Sequence, residues 1–360
     1  MAFQREGASS SVVRQPGKKL CADRELEPFF NSSVSSSLVL RLPPEITSEI
    51  FLHFLPTYPE FPPLSGILSP VLLCQICGHW REIALSTPRL WRAIKLPLDS
   101  HQGVLPLLDC LTAWLARSGR SPLALEITAV STSELEFLPD FMPTIALHRH
   151  RLDHLVLDVR FEHLSFLSGD MPLLRDLTIG STYHAPPAGG SILIDHAPAL
   201  RNLVVPVFDV AFRQLPFGQL ISLDAGYIYL TECAEILREA KNLVDCRFTI
   251  QHDTFTPTSI PIIPAHQRLR HIAFRRVDGT HIDRLLAELT LPVLSKLEVY
   301  ESGVSIAALA AFISRSQCTL EELRITYARS EEEAYHQALP SVSAIILERG
   351  AGYSFYGTTL

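Results

Sequence analysis

A spaced apolar motif, apolar-x-x-apolar-x-apolar, recurs nine times between residues 152 and 347. It reads Leu152/Leu155/Leu157, Leu174/Leu177/Ile179, Leu200/Leu203/Val205, Leu220/Leu223/Ala225, Leu243/Cys246/Phe248, Leu269/Ile272/Phe274, Leu294/Leu297/Val299, Leu320/Leu323/Ile325 and Val342/Ile345/Leu347. Successive starts are 22, 26, 20, 23, 26, 25, 26 and 22 residues apart. A period of this length marks a unit of one strand plus one return that cannot bury its own apolar face. Neighbouring units must supply the other side. The spacing therefore predicts a stacked α/β array of parallel strands.

Alternate side chains of a strand point to opposite faces. With the leucines turned inward, the positions between them form the other face, expected to be concave and to bind. Those positions are His154, Asp158, Asp176, Asp224, Asp245, Arg247, His271, Arg275, Lys296, Glu298, Tyr300, Glu322 and Arg324. Acids dominate the earlier strands and both signs mix later, which suits protein recognition better than a small-molecule pocket. Taken singly, each also fits an ordinary solvated position. Several returns carry helix starts: Ser131 with Glu134, Thr231, Thr280 with Asp283, and Ser330 with Glu333. Ile282, Leu285, Leu286 and Leu289 give one return a buried face, and Ile306, Leu309, Phe312 and Ile313 another. His184–Ser191 and Thr254–Pro264, rich in proline, read as longer loops.

Ahead of the array, Leu42 to Ile94 packs helical patterns into a short stretch. Pro43 and Pro44 open a helix that runs to about Leu55, with Ile46, Ile50 and Phe54 on one stripe and Phe51 and Leu55 beside it. Ser69-Pro70 starts a second, in which Leu73, Ile76, Cys77, Trp80, Ile83 and Ala84 recur at spacings of three and four. Thr87-Pro88 repeats the start signal before Leu90, Trp91 and Ile94. So small a unit cannot bury all this apolar surface within itself. A partner interface or a cap on the following body would each account for it.

LPPEI-x3-IF followed by I-x2-HWREIA-x-STPRLWRAI resembles the F-box, in the form common in fungal F-box proteins. The repeats resemble leucine-rich repeats, whose period is about 20–29 residues. The resemblance implies a mixed α/β fold, with a small N-terminal three-helix F-box before an irregular leucine-rich-repeat solenoid. Its parallel strands would line the concave face, with helices or loops outside. Implied boundaries are a disordered tail over 1–37, the F-box over 38–98, a linking helix over 99–121, the solenoid over 122–350 and a C-terminal tail over 351–360. The implied role is substrate recognition in an SCF-type cullin-RING ubiquitin ligase, with the F-box docking on a Skp-type adaptor. Leu42, Pro43, Glu45, Ile46, Ile50, Leu73 and Trp80 would make the adaptor contacts. The competing reading is an interaction scaffold whose helices only cap the solenoid.

Two departures stand inside the F-box-like stretch. The insert Thr57–Leu68 is long, and Gly78-His79 precedes Trp80 where a basic residue is more usual. Within a helix, Gly78 would cost roughly 1 kcal/mol relative to alanine. The repeats depart too. Where an Asn or Cys is expected after each strand stand Arg160, Thr182, Phe208, Ile228, Gln251, Val277, Ser302 and Ala328.

Composition excludes other classes. No apolar run nears the 18 residues a membrane helix needs, and no signal-peptide core opens the chain. Seven cysteines, an odd number without framework spacing, fit a reducing compartment and a cytoplasmic or nuclear location. A net charge of −7 argues against nucleic acid as the main partner. Cys74 and Cys77 form the one C-x-x-C, with no second pair for zinc, so Cys77 reads as buried packing and Cys74 as incidental. His148, His150 and His154 offer His-x-His spacing without a third ligand. No nucleophile elbow or phosphate loop occurs. The expectation is a non-enzymatic protein without metal or cofactor.

Overall fold

The computed structural model describes residues 38–98, 104–129, 138–159, 168–181, 194, 196–206, 215–251, 260–276 and 282–349. The expected N- and C-terminal tails, the Ser131/Glu134 and Thr280 helix starts, and the 184–191 loop lie outside the described residues. So do four of the post-strand positions, Arg160, Thr182, Phe208 and Val277.

Among the described residues, eleven parallel strands form one open sheet in strict chain order. They are β1 (Ala93–Leu98), β2 (Leu123–Ala129), β3 (Leu152–Val159), β4 (Asp176–Ser181), β5 (Asn202–Val205), β6 (Ser222–Ile228), β7 (Asp245–Ile250), β8 (His271–Arg276), β9 (Lys296–Tyr300), β10 (Glu322–Thr326) and β11 (Ala344–Glu348). The nine sequence repeats fall on β3 to β11, in register. Ile94, Leu125, Leu155, Leu177, Leu203, Leu223, Cys246, Ile272, Leu297, Leu323 and Ile345 pair from strand to strand as one inward row. All are buried. Full burial of each such aliphatic stabilises by about 1.5–3 kcal/mol. The repeat works because every rung covers its neighbour's open side.

Helices close the leucine side. Among them are α4 (Val104–Arg117), α5 (Leu138–His148), α6 (Leu230–Glu239), α7 (Asp283–Glu288), α8 (Ile306–Ser316) and α9 (Glu332–Ala338). Leu107, Leu111, Leu115, Leu237, Leu285, Leu309, Phe312 and Tyr335 share one continuous core with the strands. Thr231 does not cap α6; the helix begins at Leu230, and Glu232 Oε2 accepts the Tyr229 N–H at 3.1 Å.

With no Asn or Cys ladder behind the strands, the turns find separate solutions. Glu301 accepts from the Arg329 and Ser330 N–H groups at 2.6 and 2.9 Å and from the Tyr335 hydroxyl at 2.9 Å. Asp283 accepts the Ser305 N–H at 3.0 Å, and Ser316 Oγ the Leu291 N–H at 3.1 Å. Different returns with different caps account for the uneven period.

Several expectations for the front stretch fail. The second helix is broken into α2 (Pro70–Ile76) and α3 (Gly78–Ser86), because Cys77 is extended at φ −159°, ψ 168°. Cys77 Sγ accepts the Trp80 N–H at 3.5 Å and so caps α3; the residue is half-buried, not core. Gly78 then opens a helix instead of interrupting one, and the interior penalty does not apply. The third helical pattern is a 3-10 turn, Pro88–Trp91, that runs into β1. Ile94 is therefore a strand residue, and the sheet begins inside the stretch assigned to the helical unit. Trp91 locks this junction: its Nε1 donates to Ala84 O at 2.8 Å and its ring meets Trp114 edge-on at 4.9 Å.

Candidate binding surfaces

The first surface is the helical unit. Pro43 and Pro44 start α1 (Pro44–Phe54), whose inner side holds Thr47 and Phe51. Phe51 packs on the half-buried Trp80 ring at 4.9 Å. The opposite side of α1 is bare: Ile46 is 50% exposed and Ile50 47%, beside exposed Pro43 and Glu45. Leu42 is half-buried. Ile76 at the end of α2 is 54% exposed, and Leu85 on α3 is also exposed. Leu73 is a correction: at 3% exposure it belongs to the core and cannot meet a partner. A hydrophobic repeat alone cannot say which of its members turns inward.

The second surface is the sheet face away from the helices. Every residue assigned there by alternation is only partly covered or exposed, while its leucine neighbours are buried. Strand register brings most of these side chains into pairs. His154 Nε2 lies 2.8 Å from Asp176 Oδ2, and Asn202 donates to the other Asp176 oxygen. His271 Nδ1 meets Asp245 Oδ2 at 2.7 Å, with Arg247 3.4 Å from the same oxygen. Arg275 reaches Glu298 at 3.3 Å, Lys296 reaches Glu322 at 3.2 Å, and Arg324 joins Glu322 at 3.0 Å and Glu348. The Tyr300 ring lies tilted against that of Tyr327, with centroids 4.9 Å apart. Cross-strand pairs of this kind contribute roughly 0.2–1 kcal/mol each.

These contacts set the acidity of the carboxyls. Burial pushes Asp245 and Asp176 up, but hydrogen bonds from His271 and from His154 with Asn202 outweigh it and hold both below the usual range. Hydrogen bonds from Arg324 and Lys296 hold Glu322 low as well. Burial wins at Asp224, where Arg275 and Arg247 stand 4.0 and 3.9 Å away, and its carboxyl is raised. Asp158 is raised by burial alone.

The insert joins the two surfaces, which sequence reasoning did not anticipate. Tyr58 donates to Asp153 Oδ2 at 3.2 Å, its ring carries the Arg92 guanidinium at 3.8 Å, and it meets the His154 ring edge-on at 5.5 Å. Burial, followed by Asp153, raises the Tyr58 hydroxyl well above the ordinary tyrosine value. A cleft of about 240 Å³ lies between α1, the insert and the 3-10 turn, lined by Glu49, Leu52, His53, Tyr58, Arg89 and Arg92 among others. Lys95 and Glu126, 2.7 Å apart, extend the ladder to β1 and β2. Their signal was present, since Trp91, Ile94 and Leu96 obey the repeat spacing.

His148 and His150 sit at the end of α5 and in the 3-10 turn after it, with His154 on β3, so no strand carries His-x-His. Among the described residues no group of three His, Cys, Asp or Glu side chains could hold a metal ion. Among them, too, no helix is long and apolar enough to cross a membrane. No family model and no curated protein matches the chain.

Proposed function

We propose that this chain is the substrate-recognition subunit of an SCF-type cullin-RING ubiquitin ligase. The helical unit would dock on a Skp-type adaptor, and the polar sheet face, as the concave side of a leucine-rich-repeat solenoid, would hold a protein substrate. The observation that carries this reading is the bare side of α1. Ile46 and Ile50 stay half-exposed while Phe51, one residue away, is fully covered. Adaptor contact would fall to Pro43, Glu45, Ile46 and Ile50, with Leu42 and Trp80 at the margin. The chain would catalyse nothing; it would raise the local concentration of substrate lysines near a charged ubiquitin carrier in the cytoplasm or nucleus.

The test is co-purification of the Skp-type adaptor with wild type and with an Ile46→Asp, Ile50→Asp double variant. Retention by wild type and loss by the variant is expected. Both substituted side chains already face water, so the variant stays folded. No retention by either version refutes the reading. The scaffold alternative draws on Leu73, Ile83, Leu90 and Trp91, which the array's own core covers; no retention by either version would favour it.

A further inference from the structure

The polar sheet face carries a charge imbalance. Each of its cations (Lys95, Arg247, Arg275, Lys296 and Arg324) lies within 4.0 Å of at least one carboxylate. Among the described residues the carboxylates outnumber them, and the surplus falls on β3 and β4. Asp176 is held by His154 and Asn202, and among the described residues no Lys or Arg forms an ion pair with it. Asp158 has still less: among the described residues no hydrogen bond or ion pair reaches its half-buried carboxylate.

The surroundings of Asp158 are open in a specific way. It pairs in register with Gly180, and a Cβ added there would stand 3.0 Å from Asp158 Oδ1. The carboxylate leans over the glycine, in space that any other residue would fill. Val156, Thr178 and Val204 follow one another across β3, β4 and β5 on the same face, all half-buried and none charged. Such ground suits the methylene stem of a long cationic side chain whose head seeks an acid.

We propose that β3 to β5 of the polar face bind a Lys- or Arg-bearing segment of a protein partner, with Asp158 taking the cation and Asp176 adding attraction. From the receptor reading this takes only the identification of that partner as the substrate. Charge complementarity selects the class. An acidic or phosphorylated segment would meet Asp158 and Asp176, neither of which forms an ion pair with Lys or Arg among the described residues, and its cations of choice farther along are already paired.

The test uses the full chain and a fluorescein-labelled Lys/Ser peptide, with a Glu/Ser peptide of equal length as comparison, read by fluorescence anisotropy. Wild type binds the basic peptide, more tightly at low salt than at high salt, and does not bind the acidic one. Asp158→Asn weakens binding roughly tenfold, the loss of one charge-assisted contact. Gly180→Leu, which fills the space over the glycine, weakens it as well. Glu82→Gln, exposed on α3, leaves it unchanged and reports general attraction to an acidic protein. Basic-peptide binding that is absent from wild type, or that survives Asp158→Asn undiminished, overturns the proposal. Adaptor retention is scored separately. A chain that keeps the adaptor but fails here loses this surface alone, and one that binds through Asp158 without the adaptor loses only the receptor reading.

Discussion

Removing the Tyr58 hydroxyl tests how the insert is held to the array. Asp153 is buried to 9% exposure, and the Tyr58 hydroxyl is the hydrogen bond that reaches its Oδ2, across 95 residues of chain. The other oxygen, Oδ1, has His154 Nδ1 and Arg175 Nε at 3.5 Å and no hydrogen bond. A hydrogen bond to a charged group nets about 1.5–3 kcal/mol. Tyr58 is only half-buried and the Arg175 side chain is largely exposed, so water can reach the site and the lower end applies. Tyr58→Phe should cost about 1.5 kcal/mol. The retained ring keeps the Arg92 contact, worth about 0.5–1 kcal/mol at a partly exposed site, which only Tyr58→Ala removes in addition. A double-mutant cycle of Tyr58→Phe with Asp153→Ala isolates the pair. Stacked arrays do not always unfold as one unit, so hydrogen exchange over residues 57–64 is the readout to trust beside urea unfolding. A coupling energy below about 0.5 kcal/mol, with exchange of the insert unchanged, would refute the clamp.

Two further outcomes follow from the packing and the charges. Leu223→Ala empties a fully buried rung between Leu203 and Cys246. It should cost about 2–5 kcal/mol, and hydrogen exchange should rise over β5 to β7 first, because each repeat rests on its neighbours; a uniform rise from β1 to β11 contradicts this. Acid titration should show two opposed effects. Asp176, Asp245, Glu301 and Glu322 are held low in the folded chain, so their contribution is present above the unfolded value and is lost as pH falls through the folded one. Asp158 and Asp224 are raised by burial and lose a penalty on protonation, which offsets the decline at first. Urea midpoints should therefore change little between about pH 5 and 4 and fall steeply below. A midpoint that climbs down to about pH 3 is the contrary result.

What could be read from the residues was whatever depends on period. Alternation of two within a strand and about two dozen between strands fixed the inward row from Leu155 to Ile345, because one slipped residue would expose every leucine. The first strand was lost to a local signal: Thr87-Pro88 starts a helix in most contexts, but only one 3-10 turn fits before Trp91 must turn inward against Trp114. The break at Cys77 was missed for a related reason, since spacings of three and four survive a break that restarts in phase. Sidedness within α1 and α2 was legible only as amphipathicity; that Leu73 faces the core while Ile76 faces water depends on α3, which packs on one side. The anchor of the insert left no trace, because Tyr58 and Asp153 are far apart in sequence and neither is unusual alone.

The same distinction governs the binding face. Alternation placed its charged residues on one surface, but register then spends most of them on each other. A ligand drawing on Arg247, Arg275, Lys296 or Arg324 must first displace a carboxylate already within 4.0 Å, and so gains only the difference between two similar contacts. Recognition energy has to come from groups the sheet leaves unmatched. Among the described residues of this face, those are Asp158 and the uncharged trio Val156, Thr178 and Val204. Substitution of the ladder residues should therefore change stability more than binding, while Asp158 should do the reverse.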